Sequence, residues 1–204
     1  MSHNILNLAS QSQSRYLLLK ESQIPFKVIK QNANEHECDW NMELMSLVES
    51  IAIHKMELLV LDDVDVKAPA FVLTADTLVQ DHRGQIHGKP LDYEDARLKL
   101  TQLRGKCRVA SAFCLRKMIF KSGAWVVQIH SVKTVESSCI IAISDSEIEE
   151  YLKINPQSLN VAGALIIEGY GMQFVESVQG SYSGLLGLPL YELRQALLLL
   201  GFFN

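Results

Sequence analysis

The chain has 204 residues, 48% of them apolar, and a formal net charge of -4 at pH 7. That length and apolar content suffice for one sizeable α/β domain with a proper core, while the acidic balance and the lack of any Lys/Arg block exclude a duplex nucleic-acid binder, which needs a basic face. No basic segment leading into an apolar one opens the chain, and no apolar run approaches the roughly 20 residues of a bilayer span, so a soluble, cytoplasmic protein with no membrane partner is expected.

In chain order, Ile5 to Ala9 reads as a short buried strand and Ser12 to Lys20 as a helix. Between them lies the serine-rich turn Ala9-Ser-Gln-Ser12. Pro25 to Ile29 suggests a second strand, followed by a polar, loop-like stretch from Lys30 to Asp39. From Glu43 to Leu61, apolar residues at 44, 47, 48, 51, 58 and 59 have the spacing of a helix with one buried face. Phe71 to Val79 is a strand, and Asp81-His-Arg-Gly84 has the composition of a hairpin turn. After Gly88-Lys-Pro90, Asp92 is placed to cap a helix with Glu94 and Asp95 in its first turn. Segments 107–117, 124–130 and 133–143 are β-branched and apolar, as successive strands are. Ser144-Asp-Ser-Glu147 fits a capping box for a helix ending before Asn155-Pro156, and a glycine-rich stretch from 163 to 187 leads to a last helix near Leu190 to Leu200. With no internal repeat or low-complexity linker, residues 1–204 are expected to form a single α/β domain.

Cys38, Cys107, Cys114 and Cys139 form no C-x-x-C pair and stand in no zinc spacing with the six histidines. They are expected to be free thiols in a reducing compartment.

Several polar residues stand out of place. Helix starts leave backbone N–H groups unpaired, so Ser10 and Ser12 either cap the helix or, with the forked guanidinium of Arg15, hold an anion. Lys55 follows Ile51 by four residues and so faces inward; it either snorkels past the core or points into a cleft that needs a cation, and an apolar chain such as Met is expected to suit that face. Asp76 interrupts the apolar strand, where a carboxylate either ends the strand or is buried against metal or Lys. Lys89 in its turn, Glu35 in its polar loop and Glu168 at the end of Ala164-Leu-Ile-Ile167 complete the set. An anion-binding turn, a few cations and carboxylates on separate elements suit a divalent metal bridging to a phosphorylated ligand.

Leu8-Ala-Ser-Gln-Ser12 with Arg15, Ala75-Asp-Thr77, Gly88-Lys-Pro90, Leu103 with Gly105, Ser144 to Tyr151, Ala162-Gly163, Glu168-Gly169, and Gly180 with Gly187-Leu-Pro-Leu190 appear in an order that resembles the Maf proteins almost end to end. These are nucleoside triphosphate pyrophosphatases related in fold to the Ham1 inosine triphosphatases. The resemblance implies an elongated, mixed, twisted sheet flanked by helices, with two lobes around a central cleft. It implies that Ser10, Ser12 and Arg15 hold the triphosphate, that Lys55 and Lys89 contact phosphates, and that Asp76 is catalytic. Glu35, Asp76 and Glu168 would bind Mg²⁺ or Mn²⁺ or its water, and water would attack the α-phosphorus to release pyrophosphate. It also allows a homodimer.

Departures from the family pattern point further. Ser12-Gln-Ser-Arg15 stands where Ser-Pro-Arg-Arg is usual, so one arginine is lost, and Arg104 and Arg108 stand where Ser and His are common. Asn160-Val-Ala-Gly-Ala-Leu-Ile-Ile-Glu-Gly169 replaces an Asp-Lys and Gln pattern typical of members resembling the dTTP/UTP pyrophosphatases. It is more similar to the branch acting on 7-methyl-GTP, whose cationic base a carboxylate such as Glu168 would suit. The leading expectation is therefore a 7-methyl-GTP pyrophosphatase. A dTTP/UTP pyrophosphatase and a weakly active nucleotide-binding protein linked to cell division are the alternatives.

Overall fold

The computed structural model describes residues 4–62 and 64–204. Strand β1 (Leu6–Leu8) is buried along its whole length because it has parallel neighbours on both sides, β2 (Phe26–Val28) and β3 (Ala70–Gln80). Helix α1 (Gln13–Glu21) starts one residue later than expected, with Ser12 at the cap accepting a hydrogen bond from the Arg15 amide. Helix α2 covers Leu44–Glu57, and the expected hairpin turn at Asp81 to Gly84 leads into the short strand β4 (Ile86–His87). Helix α3 (Tyr93–Gln102) is capped by Asp92 as read from the sequence.

The long strands β5 (Gly105–Lys121) and β6 (Ala124–Ile141) follow, then helix α4 (Asp145–Ile154), whose Ser144/Glu147 capping box is present. After three short 3-10 segments come β7 (Val175–Gly180), the short helix α5 (Tyr182–Leu185) and α6 (Leu190–Leu199). The strands form one seven-stranded sheet in the order β2-β1-β3-β5-β6-β7, with β4 paired to β3, and it is mixed: parallel around β1, antiparallel elsewhere. The mixed sheet flanked by helices is thus as expected.

Two elements differ from the sequence reading, β6 and α2. Segments 124–130 and 133–143 are one strand, because β6 absorbs an irregularity opposite Lys117/Met118 as a bulge and keeps pairing with β5. The hairpin between β5 and β6 turns on Ser122 and Gly123, both at positive φ (52° and 85°), the pattern of a primed two-residue turn. Helix α2 stops at Glu57, so Leu58 and Leu59 do not continue its buried stripe, and Leu58 is exposed.

Alternation along β3 divides the core. Phe71, Leu73 and Ala75 face α1 and α6 in one apolar cluster, and Val79 on the same face joins the cluster of α3 and α4. Ala70, Val72 and Leu78 point the other way, into the clusters around α2. Asp76 belongs to this second set by parity, while Thr77 belongs to the first. Because β1 pairs with β3 only as far as Leu73, residues 75–80 of β3 continue beyond it. The order β2-β1-β3 reverses direction here. The carboxyl ends of such strands open a crevice at that point, where loops from both sides diverge.

Candidate active site

The loops leaving β1 and β2 supply the crevice. The β1 loop is tied down by Ala9 N–H donating to the Leu73 carbonyl at 2.8 Å, and the β2 loop by Ile29 N–H donating to the Leu8 carbonyl at 2.9 Å. The β2 loop then makes a single 3-10 turn at Glu35–Glu37, with Trp40 Nε1 donating to the Glu35 carbonyl at 3.2 Å. Trp40 also fills the space beside Gly88, where a Cβ would lie 3.1 Å from its ring. One tryptophan thus braces both the Glu35 loop and the Gly88-Lys89 turn.

At the centre is a buried cation between two carboxylates. Lys55 Nζ donates to Asp76 Oδ1 and to Glu35 Oε1, each at 2.6 Å. Lys55 reaches them because α2 packs on the even-numbered face of β3, a contact reinforced by the Thr74 hydroxyl donating to the Ala52 carbonyl at 2.7 Å. The inward Lys55 is therefore not snorkelling: its ammonium ends inside the cleft.

Burial pushes the Asp76 carboxyl above its ordinary range, and the nearby Glu35 charge adds to this, while Lys55 and Arg15 only partly oppose it. Burial would raise Glu35 as well, but Lys55, Lys89 and Arg15 outweigh it and hold that carboxyl below its usual value. The two acids are driven apart, the arrangement that lets one serve as a proton acceptor while the other stays ionised.

Ser10, Ser12 and Arg15 come together at the start of α1. Arg15 is buried, and its guanidinium donates to Ser10 Oγ (3.2 Å), Thr77 Oγ1 (3.0 Å) and the Gly187 carbonyl (2.9 Å). Burial lowers its pKa, and the fields of Asp76 and Glu35 oppose that. So Arg15 is first a clasp joining the β1 loop, β3 and the segment before α6. Thr77 Oγ1 also shares a 2.8 Å hydrogen bond with Ser111 Oγ, which donates to the Gly184 carbonyl at 2.7 Å. Thr77 and Ser111 were not assigned roles from the sequence. Their signal was present: each is a hydroxyl inside an apolar strand run, and each is partnered.

Lys89 is exposed, with Nζ 3.8 Å from Glu35 Oε1. It is carried by a rigid hairpin, for the buried Asp81 accepts hydrogen bonds from the amides of Arg83 and Gln85 and faces His87 Nε2 at 3.1 Å. Gly88 in turn accepts from the Gly163 amide at 3.1 Å, so the glycine-rich segment lies beside this turn.

Glu168 stands apart from this cluster. It is half-buried just before the 3-10 segment Gly169–Phe174, with its carboxyl pushed up by burial first and also by the charge of Glu21. Among the described residues no group of three or more His, Cys, Asp or Glu side chains stands ready to hold a metal ion, so the expected trio of Glu35, Asp76 and Glu168 is not gathered. Part of it does fit a hard divalent cation: Asp76 Oδ2 is buried with no hydrogen-bond partner, and oxygen donors of this kind are what Mg²⁺ or Mn²⁺ takes. Arg104 and Arg108 make ion pairs away from Lys55: Arg104 with Asp145, Arg108 with Glu136 and Glu43. No helix among the described residues is long and apolar enough to cross a membrane.

Comparison with known proteins finds relatives over nearly the whole chain. The family described as Maf-like protein matches residues 5–200. A dTTP/UTP pyrophosphatase of Pseudoalteromonas atlantica is 34% identical, covering 95% of each chain. One of Fusobacterium nucleatum is 33% identical over 96% of this chain and 95% of its own, and one of Clostridium beijerinckii is 34% identical over 92% and 94%.

Proposed function

Because this chain belongs to the Maf family, we propose that it is a nucleoside triphosphate pyrophosphatase, a hydrolase of phosphoric anhydride bonds that converts its substrate to the monophosphate and pyrophosphate. The observation that carries this reading is Asp76: a buried carboxylate with one oxygen fixed by Lys55 and the other unpaired, at the mouth of a crevice edged by cations.

In this reading Asp76 accepts the proton of the water that attacks the α-phosphorus. Lys55 fixes the carboxylate's rotamer, so no reorientation is needed as the proton moves. The α1 start, with the hydroxyls of Ser10 and Ser12 and its free amides, takes phosphate oxygens, and Arg15 keeps those hydroxyls in place. Lys89 is exposed on a braced turn and meets the remaining phosphate charge. Asp76 and Glu35 would hold Mg²⁺ or Mn²⁺, which when bound neutralises charge on the pyrophosphate leaving group.

For the base, the relatives' names favour dTTP and UTP over the 7-methyl-GTP expected from the sequence. A second reading keeps 7-methyl-GTP on one observation: Glu168 is a half-buried carboxylate without a cationic partner among the described residues, as a cationic base would use. Pyrophosphate release across dTTP, UTP, 7-methyl-GTP, the other nucleotides and inosine triphosphate, with Mg²⁺ or Mn²⁺, separates the two. Preference for the pyrimidines supports the first reading, and preference for the methylated purine supports the second. No release from any nucleotide would leave a nucleotide-binding protein instead.

A further inference from the structure

The structure places two thiols face to face. Cys107 on β5 and Cys139 on β6 are directly opposite in the antiparallel register, and their sulfurs are 3.1 Å apart. We propose that Cys107 and Cys139 form a reversible oxidation site, closing to a cross-strand disulfide on exposure to a peroxide.

Two sulfurs already in contact need only a small side-chain adjustment to bond, since neighbouring strands hold the backbones at the separation of a disulfide. Neither side chain takes part in the hydrogen-bond network of the cleft, and both lie in the apolar cluster of α3 and α4. They are 2% and 3% exposed, so a peroxide reaches them on local opening of the strand pair. Cys107 is two residues from the start of β5, and both Gly105 and Lys106 are exposed there, where the ladder opens most readily.

Either sulfur can donate across the 3.1 Å contact, so each thiol can serve the other's thiolate as a hydrogen-bond partner. One of the two, as the thiolate, attacks the peroxide oxygen, becoming a sulfenic acid and releasing one water from hydrogen peroxide. The facing sulfur then attacks the sulfenic sulfur and expels the second water. Each thiol gives up one hydrogen, and the peroxide takes up the two electrons removed. The other thiols lack such a partner: Cys38 is half-buried in the β2 loop region and Cys114 is buried in the cluster around the end of α2.

The test is peroxide treatment of the folded, reduced full chain, followed by denaturing alkylation and mass spectrometry without reduction. Expected are a mass loss of two hydrogens, a single cross-linked peptide pair carrying Cys107 and Cys139, alkylation retained at Cys38 and Cys114, and full reversal by dithiothreitol. A Cys139→Ala variant should leave Cys107 alkylatable. The wild-type peptide map stands on its own should that variant fold poorly. Quantitative alkylation of both Cys107 and Cys139 after treatment, or a cross-link to Cys38 or Cys114 instead, would overturn the proposal.

Discussion

Lys55 Nζ lies 2.6 Å from Asp76 Oδ1, and both side chains are buried, so the helix α2 cation and the β3 carboxylate form one unit fixed by packing. Glu35 completes it from a loop that the sheet alone would not order.

Replacing Lys55 by Met should destabilise the fold by about 3–5 kcal/mol at neutral pH, because it strands a buried carboxylate beside a second one. Without the cation, the folded-state pKa of Asp76 rises further above its unfolded value. A group shifted that way gives full stability below the unfolded pKa and loses it as pH rises through the folded one. Urea unfolding at pH 7 and pH 5 should therefore show a deficit that shrinks on acidification. A variant as stable as wild type at pH 7 would mean that an apolar chain suits that face, as the sequence reading expected.

The raised pKa of Asp76 makes a kinetic prediction as well. Its proton-accepting form exists above the folded pKa and disappears as pH falls through it, so kcat/KM should fall on an acid limb lying above the ordinary aspartate value of about 3.9. The limb reports the coupled Asp76 and Glu35 titration, with Glu35 held low as the lower step. A pH profile flat down to about pH 4 would remove Asp76 from proton transfer.

Arg15→Lys keeps the charge but not the fork. A single ammonium cannot reproduce the guanidinium's bonds to Ser10, Thr77 and Gly187, which lie on three separate segments. Stability should drop by roughly 1.5–3 kcal/mol, the range for hydrogen bonds to a charged group, and KM for the triphosphate should rise as Ser10 loses its support. Unchanged melting and KM would mean that the clasp is dispensable.

Much of this was legible in the sequence. The apolar spacing placed Lys55 on the inner face of α2, and the apolar run around it marked Asp76 as an intruder, because both signals are local. That Lys55 ends between Glu35 and Asp76 was not legible, since it depends on which face of β3 receives α2. The position of Glu168 was missed for a related reason: the segment from 156 to 174 is a chain of short 3-10 segments whose path is set by close packing, as where Gly171 approaches the Ile166 carbonyl so nearly that a Cβ would lie 1.8 Å from it. The continuity of β6 was hidden because its outer half, from Ala124 to His130, is mostly exposed and gives no clean alternation. Arg15 was legible as a cation at a helix start, but its clasp partners Thr77 and Gly187 are far along the chain.

The most direct test of the account is the rate of pyrophosphate release by Asp76→Asn, measured beside wild type on the preferred nucleotide with circular dichroism confirming the fold. The amide keeps an oxygen for Lys55 but cannot accept a proton, so turnover should fall by about 10²–10⁴-fold with the fold intact. A folded Asp76→Asn protein with wild-type turnover would contradict the assignment of Asp76 as the base and, with it, the mechanism built on the Lys55 pair.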